Sequence, residues 1–293
     1  MKMHGDIKKV AAIHDLSGYG RASLTAIIPT LSAMGVQVCP VPTAILSNHT
    51  GGFETYSYVD LTDTMEEYIQ KWKELGLQFD CVYSGFLGST RQIDIVSDFI
   101  DWFGNEDNLV VVDPVMGDNG SLYSAFSTDI ISQMKTLVAK ADLITPNFTE
   151  AAFLLGLEQA PETLTDDEAK DWLRRLGEMG PRIVVITSAP DRNNPQNTNV
   201  LAYDRDDGTF WKVGCRYIPA AYPGTGDTFA SVMIGSLLQG DSLPVALDRA
   251  TQFISQCIKA SYGFNYPKRN GVLLEKELGI LKMPVVISGY EMM

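Results

Sequence analysis

Pro223-Gly224-Thr225-Gly226-Asp227 sets two glycines and a threonine directly ahead of an acid, and an amphipathic helical pattern follows. Glycines let the backbone turn sharply and present its amides, and amides at a helix N-terminus favour anions. A transferring phosphoryl group needs preorganised donors of this kind. An acid in the first turn, here Asp227, is within reach of a substrate hydroxyl and accepts its proton as the oxygen attacks. The same residues also make an ordinary helix start, where Gly, Thr and acids are all favoured. The pattern is not a Walker A loop, which requires GxxxxGK and then Ser or Thr.

Four more segments carry candidate chemistry. Asp113-Pro114-Val115-Met116-Gly117-Asp118 closes a buried apolar run. Carboxylates at the carboxyl edge of a parallel sheet lie where ligands bind, and Asp113 there would orient Mg²⁺ through water. An Asp-Pro turn is the plainer account. Thr145-Pro146-Asn147-Phe148-Thr149-Glu150 leaves a strand and starts a helix. Asn147 with Glu150 three residues on is capping-box spacing; the functional alternative puts Asn147 on phosphates and Glu150 beside the metal. Ser47-Asn48-His49-Thr50-Gly51-Gly52 is a polar cluster after an extended apolar run, with a histidine that is either structural or functional. His14-Asp15-Leu16-Ser17-Gly18-Tyr19-Gly20 follows the first strand and lacks the GxGxxG spacing of a dinucleotide site.

The elements that must position these segments alternate strand and helix. Val10 to Ile13, Phe79 to Tyr83, Leu109 to Val112, Asp142 to Thr145 and Ile183 to Ile186 read as short strands. Val36 to Leu46 reads as extended chain. Helices are expected over Arg21 to Met34, Asp63 to Leu75, Ile93 to Phe103, Thr128 to Ala139, Thr225 to Gln239 and Pro244 to Tyr262. Continuous β-branched runs separated by helices indicate a mostly parallel sheet covered on both faces. A polar stretch, Asp191 to Asn197, breaks the rhythm. It leads into a hairpin, Asn199 to Tyr203 and Thr209 to Tyr217, around Asp206-Asp207-Gly208. No repeat or long linker divides the chain, so residues 1–293 read as one α/β domain.

Composition bounds the function. The chain has 293 residues, 45% hydrophobic and 20% charged, enough for a real core. With 23 basic against 36 acidic residues the net charge is −13, which argues against a nucleic-acid partner and for binding phosphate through amides and metal ions. Cys39, Cys81, Cys215 and Cys257 are dispersed, with no zinc-ligand spacing, and fit reduced cysteines of a cytoplasmic protein. No apolar run approaches the ~18 residues of a membrane span, and Val10 to Ile13 is too short for a signal peptide.

In order and spacing, the segments resemble the pyridoxal kinase family of the ribokinase-like superfamily. The matching pieces are Ser47-Asn48-His49-Thr50, Ser84-Gly85-Phe86, Asp113 to Asp118, Thr145-Pro146-Asn147 with Glu150, Val184 to Ser188 and Gly224 to Asp227. The resemblance implies a three-layer αβα fold, ATP with Mg²⁺, a monovalent cation such as K⁺, a small-molecule substrate and a homodimer. It makes Asp227 the base and Gly224, Thr225 and Gly226 the anion hole. Asp113, Thr145 and Glu150 become the ion and phosphate shell, with Asp118 a further metal candidate. Asn147, Thr187 and Ser188 become nucleotide contacts. Leu46, Thr50 and Phe86 line the pyridine pocket, with Asp15, Ser17, Tyr19, Ser47 and His49 as further substrate contacts. An ionised Asp15 would read the 4′ substituent of the ring. Two departures stand out. Leu46 replaces an aromatic usual in the family. Ile13-His14 stands where a serine-histidine pair is usual, and the glycine-rich stretch after it looks like that of hydroxymethylpyrimidine kinases. The expected activity is phosphorylation of the 5′-hydroxymethyl of pyridoxal, pyridoxine or pyridoxamine, the alternative being a hydroxymethylpyrimidine kinase.

Overall fold

The computed structural model describes residues 7–124, 126, 128–284 and 289–293. Its strands are β1 (Lys9–Ser17), β2 (Gln37–Leu46), β3 (Tyr58–Asp60), β4 (Cys81–Ser84), β5 (Leu109–Val112), β6 (Gly117–Asp118), β7 (Ser121–Leu122), β8 (Leu143–Ile144), β9 (Ile183–Pro190), β10 (Asn197–Asp204), β11 (Thr209–Arg216) and β12 (Glu291–Met292). The helices are α1 (Leu24–Ala33), α2 (Thr62–Glu74), α3 (Thr90–Phe103), α4 (Asp129–Val138), α5 (Phe148–Leu154), α6 (Asp166–Gly177), α7 (Thr225–Leu238), α8 (Leu243–Tyr262) and α9 (Leu274–Glu277).

Ten strands form one sheet in the order β12-β11-β10-β9-β8-β5-β4-β1-β2-β3. The pairs from β2 across to β9 are parallel, and the outer strands β3, β10, β11 and β12 are antiparallel. Residues alternate between faces along a strand, so Ala11 and Ile13 join one apolar core and Val10 and Ala12 the other. The first core packs α2 to α6, and the second packs α1, α7, α8 and α9. This is the three-layer αβα arrangement expected. The carboxyl ends of β1, β4, β5, β8 and β9 converge on one edge, where such sheets bind ligands.

The hairpin β10–β11 forms as expected, pairing Asp204 with Thr209 around Gly208, whose φ of 70° suits a turn glycine. Several bounds shift by one to three residues, among them β4, which starts at Cys81 and not Phe79, and α3, which starts at Thr90 and not Ile93; two changes have a clear cause. The helix read from Arg21 starts at Leu24, because Ser23 has a φ of 51° and its hydroxyl is drawn to Asp15 instead of capping the helix. Strand β9 runs past Ile186 to Pro190 because β10 pairs with it to that point. Helix α6 drew no expectation, although Thr165 and Glu168 form a complete capping box at its start.

Candidate active site

Gly224 is the N-cap of α7 with φ 78°, and a Cβ there would stand 1.9 Å from the Arg21 carbonyl oxygen. Only glycine fits that turn, and it leaves the first-turn amides of α7 facing the sheet edge. Asp227 lies in this turn. Its Oδ2 accepts the Ser23 backbone N–H at 2.8 Å, and its side chain is 16% exposed, so the carboxylate opens to the site. Burial pushes its pKa up to about 6; Asp15 adds to the rise and the Ser23 N–H opposes it. His14 Nδ1 is 4.0 Å from Asp227 Oδ1. Burial drives the imidazole down to about 3, so it is neutral and the contact is not an ion pair.

Ser23 joins two acids that are distant in sequence. Its hydroxyl donates to Asp15 Oδ1, the Ser17 hydroxyl donates to Asp15 Oδ2 at 2.9 Å, and its own N–H holds Asp227. Burial raises the Asp15 pKa while these hydroxyls lower it. Among the described non-glycine residues Ser23 and Ser188 have positive φ and lie beside this edge, while Asn119, also positive, sits in the exposed turn of the β6–β7 hairpin. Strained backbone of this sort collects at functional sites. Among the described residues, five of the seven buried polar atoms without a protein partner lie at this edge, the other two being Asn199 Oδ1 and Thr251 Oγ1 on β10 and α8. His14 Nδ1 and Nε2, Tyr83 Oη, Ser84 Oγ and Thr145 Oγ1 stand on β1, β4 and the end of β8. Buried polar groups are normally satisfied, so these atoms mark where water, ions or substrate belong.

Asp113 ends β5, and its carboxyl is raised well above its ordinary value by burial and by repulsion from Glu150 and Asp227. The Thr145 hydroxyl lies beside it and offsets part of the rise without reaching hydrogen-bond geometry. Glu150 accepts from Asn147 N–H at 2.8 Å and Met116 N–H at 3.0 Å, and burial pushes it up to about 8. Asn147 accepts from Glu150 N–H at 2.9 Å and donates Nδ2–H to the Gly117 carbonyl at 2.8 Å. The capping box is therefore real, and it also clamps the Asp113–Asp118 turn to α5. Asp118 is exposed and binds the Asn119 amide at 2.8 Å. Among the described residues no three His, Cys, Asp or Glu side chains form a cage for a metal ion. The arrangement still fits Mg²⁺, which takes one or two carboxylates and fills the rest with water and phosphate oxygens. Asp113 and Glu150, both buried, and the Thr145 hydroxyl are the groups that would hold it. Thr187 bridges to Asn147, and Ser188 follows with φ 58°.

The expected substrate contacts lie across β1 and β2. Leu46 is buried, Phe86 is half-buried against Phe126 at 5.5 Å, and Tyr19 and Thr50 are exposed. Ser47 is exposed; its hydroxyl donates to Asn48 Oδ1 at 2.8 Å and accepts Ser57 N–H at 2.9 Å. His49 differs from its expected role. Its Nδ1 accepts Gly51 N–H at 3.1 Å, which leaves Nε2 to donate to the Arg269 carbonyl at 2.6 Å. Both nitrogens are engaged within the protein, so His49 latches the 47–53 segment to the 267–271 segment, with Arg269 over Phe53 at 5.0 Å. Sequence reasoning missed Ser23 and Tyr123. The Tyr123 hydroxyl is pushed upward by burial and then by Glu150, Asp118, Asp113 and Asp227, and its backbone N–H donates to the Met116 carbonyl at 2.9 Å. A separate cavity of about 410 Å³, lined by Thr165, Asp166, Asp191, Arg192 and Lys212 among others, includes none of these acids.

The sequence model of the phosphomethylpyrimidine kinase family matches residues 18–272. The chain belongs to this family. Among its relatives is a pyridoxal kinase, PdxY, of Leifsonia xyli, 31% identical over 254 residues that cover 84% of this chain and 87% of that one. A Bacteroides thetaiotaomicron protein, provisionally named a phosphomethylpyrimidine kinase and crystallised with pyridoxal, is 55% identical. It superposes with a TM-score of 0.95 over 98% of this chain and 100% of its own. The pyridoxal kinase of Lactobacillus plantarum is 31% identical with a TM-score of 0.86, covering 94% of this chain and 97% of that one. These likenesses extend over most of the chain and are not confined to one segment.

Proposed function

We infer that this protein is an ATP-dependent kinase that phosphorylates the 5′-hydroxymethyl of pyridoxal, pyridoxine or pyridoxamine. The observation that carries the reading is Asp227, a buried carboxylate tuned close to neutral pH and set in the amide-rich first turn of α7. The hydroxymethyl O–H gives its proton to Asp227 as its oxygen attacks the γ-phosphorus; the bond to the β-phosphate oxygen breaks and ADP leaves. The amides of Gly224, Thr225 and Gly226 stabilise charge on the transferring group. Asp113, Thr145 and Glu150 hold Mg²⁺ and a monovalent cation, with Asp118 at the rim; Mg²⁺ supplies charge neutralisation on the phosphates. Asn147, Thr187 and Ser188 face the nucleotide. Leu46, Phe86 and Thr50 enclose the ring, and Asp15, Ser17 and Tyr19 stand at its polar edge. Both Asp15 oxygens already accept hydroxyls within the protein, from Ser23 and Ser17.

The description of the matching family favours a second reading, phosphorylation of a hydroxymethylpyrimidine. A coupled ADP-release assay with the three B6 vitamers and the pyrimidine separates the two. We expect kcat/KM for a vitamer to exceed that for the pyrimidine; the reverse order would establish the second reading. Asp227→Asn should lower kcat by about 10²–10⁴-fold with ATP binding retained, and a variant within about threefold of wild type would remove Asp227 as base. We place the enzyme in the cytoplasm; no described helix is long and apolar enough to cross a membrane. A homodimer is supported by Ile45 and Val59, paired on the β2–β3 edge and about half exposed. Sedimentation at micromolar concentration should give twice the 32.2 kDa chain mass.

A further inference from the structure

Leu46 would give the proposed ring pocket an aliphatic wall, a departure from the resemblance set out above. The sheet register supplies an aromatic from another strand. Ser17 on β1 pairs with Leu46 on β2, and Leu46 pairs directly with Tyr58 on β3. Laterally paired residues send their side chains to the same face, so Ser17, Leu46 and Tyr58 form one row. Asp15 shares that face, two residues before Ser17, and accepts the Ser17 hydroxyl at 2.9 Å.

Tyr58 lies across this row toward the segment after β4. A Cβ on Gly88 would come within 2.7 Å of the Tyr58 hydroxyl oxygen, so the ring tip rests where only a glycine leaves room. Gly88 is two residues from Phe86, whose carbonyl accepts the Thr43 hydroxyl at 3.4 Å and so ties that segment over β2. Burial raises the Tyr58 hydroxyl, and Asp60 and Asp15 add to the rise. The ring is 42% exposed, leaving area free for a partner. Its strand is pinned beside the pocket: Ser47 N–H donates to the Ser57 carbonyl at 3.0 Å, and Ser57 N–H donates to the Ser47 hydroxyl at 2.9 Å. Ser47 therefore holds in register the residue next to Tyr58.

We propose that Tyr58 is a specificity-determining residue of the heterocycle pocket, packing its ring against the flat substrate and replacing from β3 the aromatic missing at Leu46. The proposal rests on the kinase reading above and assigns one more residue to it. Flat aromatic heterocycles gain from offset or edge-on contact with a tyrosine ring beyond the area they bury. A sugar or other non-planar alcohol has no π face to offer, so Tyr58 selects for planarity.

The test measures kcat and both KM values in wild type, Tyr58→Phe, Tyr58→Thr and the double variant Tyr58→Thr/Leu46→Phe. Threonine keeps strand propensity at this exposed edge. We expect Tyr58→Thr to raise the KM for pyridoxal about tenfold, with kcat and the KM for ATP within about twofold. Tyr58→Phe should stay near wild type. The double variant should recover most of the loss, because the aromatic returns from the neighbouring strand. A pyridoxal KM for Tyr58→Thr within about twofold of wild type overturns the proposal, as does a loss spread over kcat and both KM values. If the wild type turns over only the pyrimidine, the vitamer reading fails, and the same variants assayed on the pyrimidine still decide the role of Tyr58.

Discussion

Asp227 is asked to be ionised before the hydroxyl attacks, and its surroundings set when that holds. Burial raises its pKa to about 6, while the Ser23 N–H limits the rise. A base is effective above its pKa, so kcat/KM should be flat above pH ~7 and fall as Asp227 protonates through about 6. A pH profile of kcat/KM shows this directly, and an acid limb centred near the ordinary carboxylate value would mean the buried setting has no effect. His14 has no charge to lend in this range, since it stays neutral down to about 3. Its part is shape: Tyr83 meets it edge-on at a centroid distance of 4.4 Å, and a Cβ on Gly85 would come within 2.4 Å of its ring.

At the scale of elements, the turn before α7 is the joint on which the site depends. The turn before α1, through Arg21 and Ser23, packs against it. Gly224→Ala would drive a Cβ into the Arg21 carbonyl and hold alanine at a positive φ. Strain of that kind costs about 2 kcal/mol or more. At about 2–4 °C per kcal/mol for a chain of this size, Tm should drop by roughly 4–8 °C. Because the turn also carries the anion-binding amides, kcat should fall at least about tenfold even where the protein remains folded. Thermal melts and initial rates check both; an unchanged Tm would show that the α1 turn yields freely. The His49 latch works at the same scale, joining the loop over the ring to the segment that packs on Arg21.

Across the whole molecule, two buried carboxyls carry an electrostatic cost that depends on pH. Glu150 is raised to about 8 from an ordinary 4.5, with Asp113 raised as well. A group with a raised folded pKa binds more protons in the folded state, so its contribution to stability is lost as pH rises through that pKa. His14 and His49 have lowered pKa values and act in the opposite sense, but only below their ordinary 6.5. Between pH 6.5 and about 8 the carboxyls therefore decide the slope. The Tm of the metal-free, nucleotide-free protein should fall over that window, and Glu150→Gln should remove much of the slope. Saturating Mg²⁺ and ATP should also flatten it, because they compensate the same charges. A Tm that is flat or rises over the window in the ligand-free protein would refute this account.

Much of the fold and part of the site follow from sequence alone, for local reasons. The run Leu109–Val112 is a strand at those bounds because a short run of apolar, mostly β-branched residues favours a strand buried on both faces. The Asn147–Glu150 capping box forms as its three-residue spacing requires, and Gly224 starts α7 because the turn needs a positive φ. Contacts between distant segments follow no such rule. Ser23 and Asp227 are 204 positions apart, and His49 and Arg269 are 220 apart. Periodicity read Ser23 as part of a helix and composition left His49 either structural or functional, because neither signal reports which strands become neighbours. Tyr58 sits in an exposed three-residue strand with no buried alternation to announce it. Its place beside the pocket comes from pairing with Leu46, a register that the β2–β3 contacts decide. Sequence alone determined the helix starts, turns and strand runs of the candidate segments, since these are local. Tertiary structure decided which side chains are free to meet a substrate and which are held by the protein, since hydrogen-bond partners and burial are set only when remote strands align.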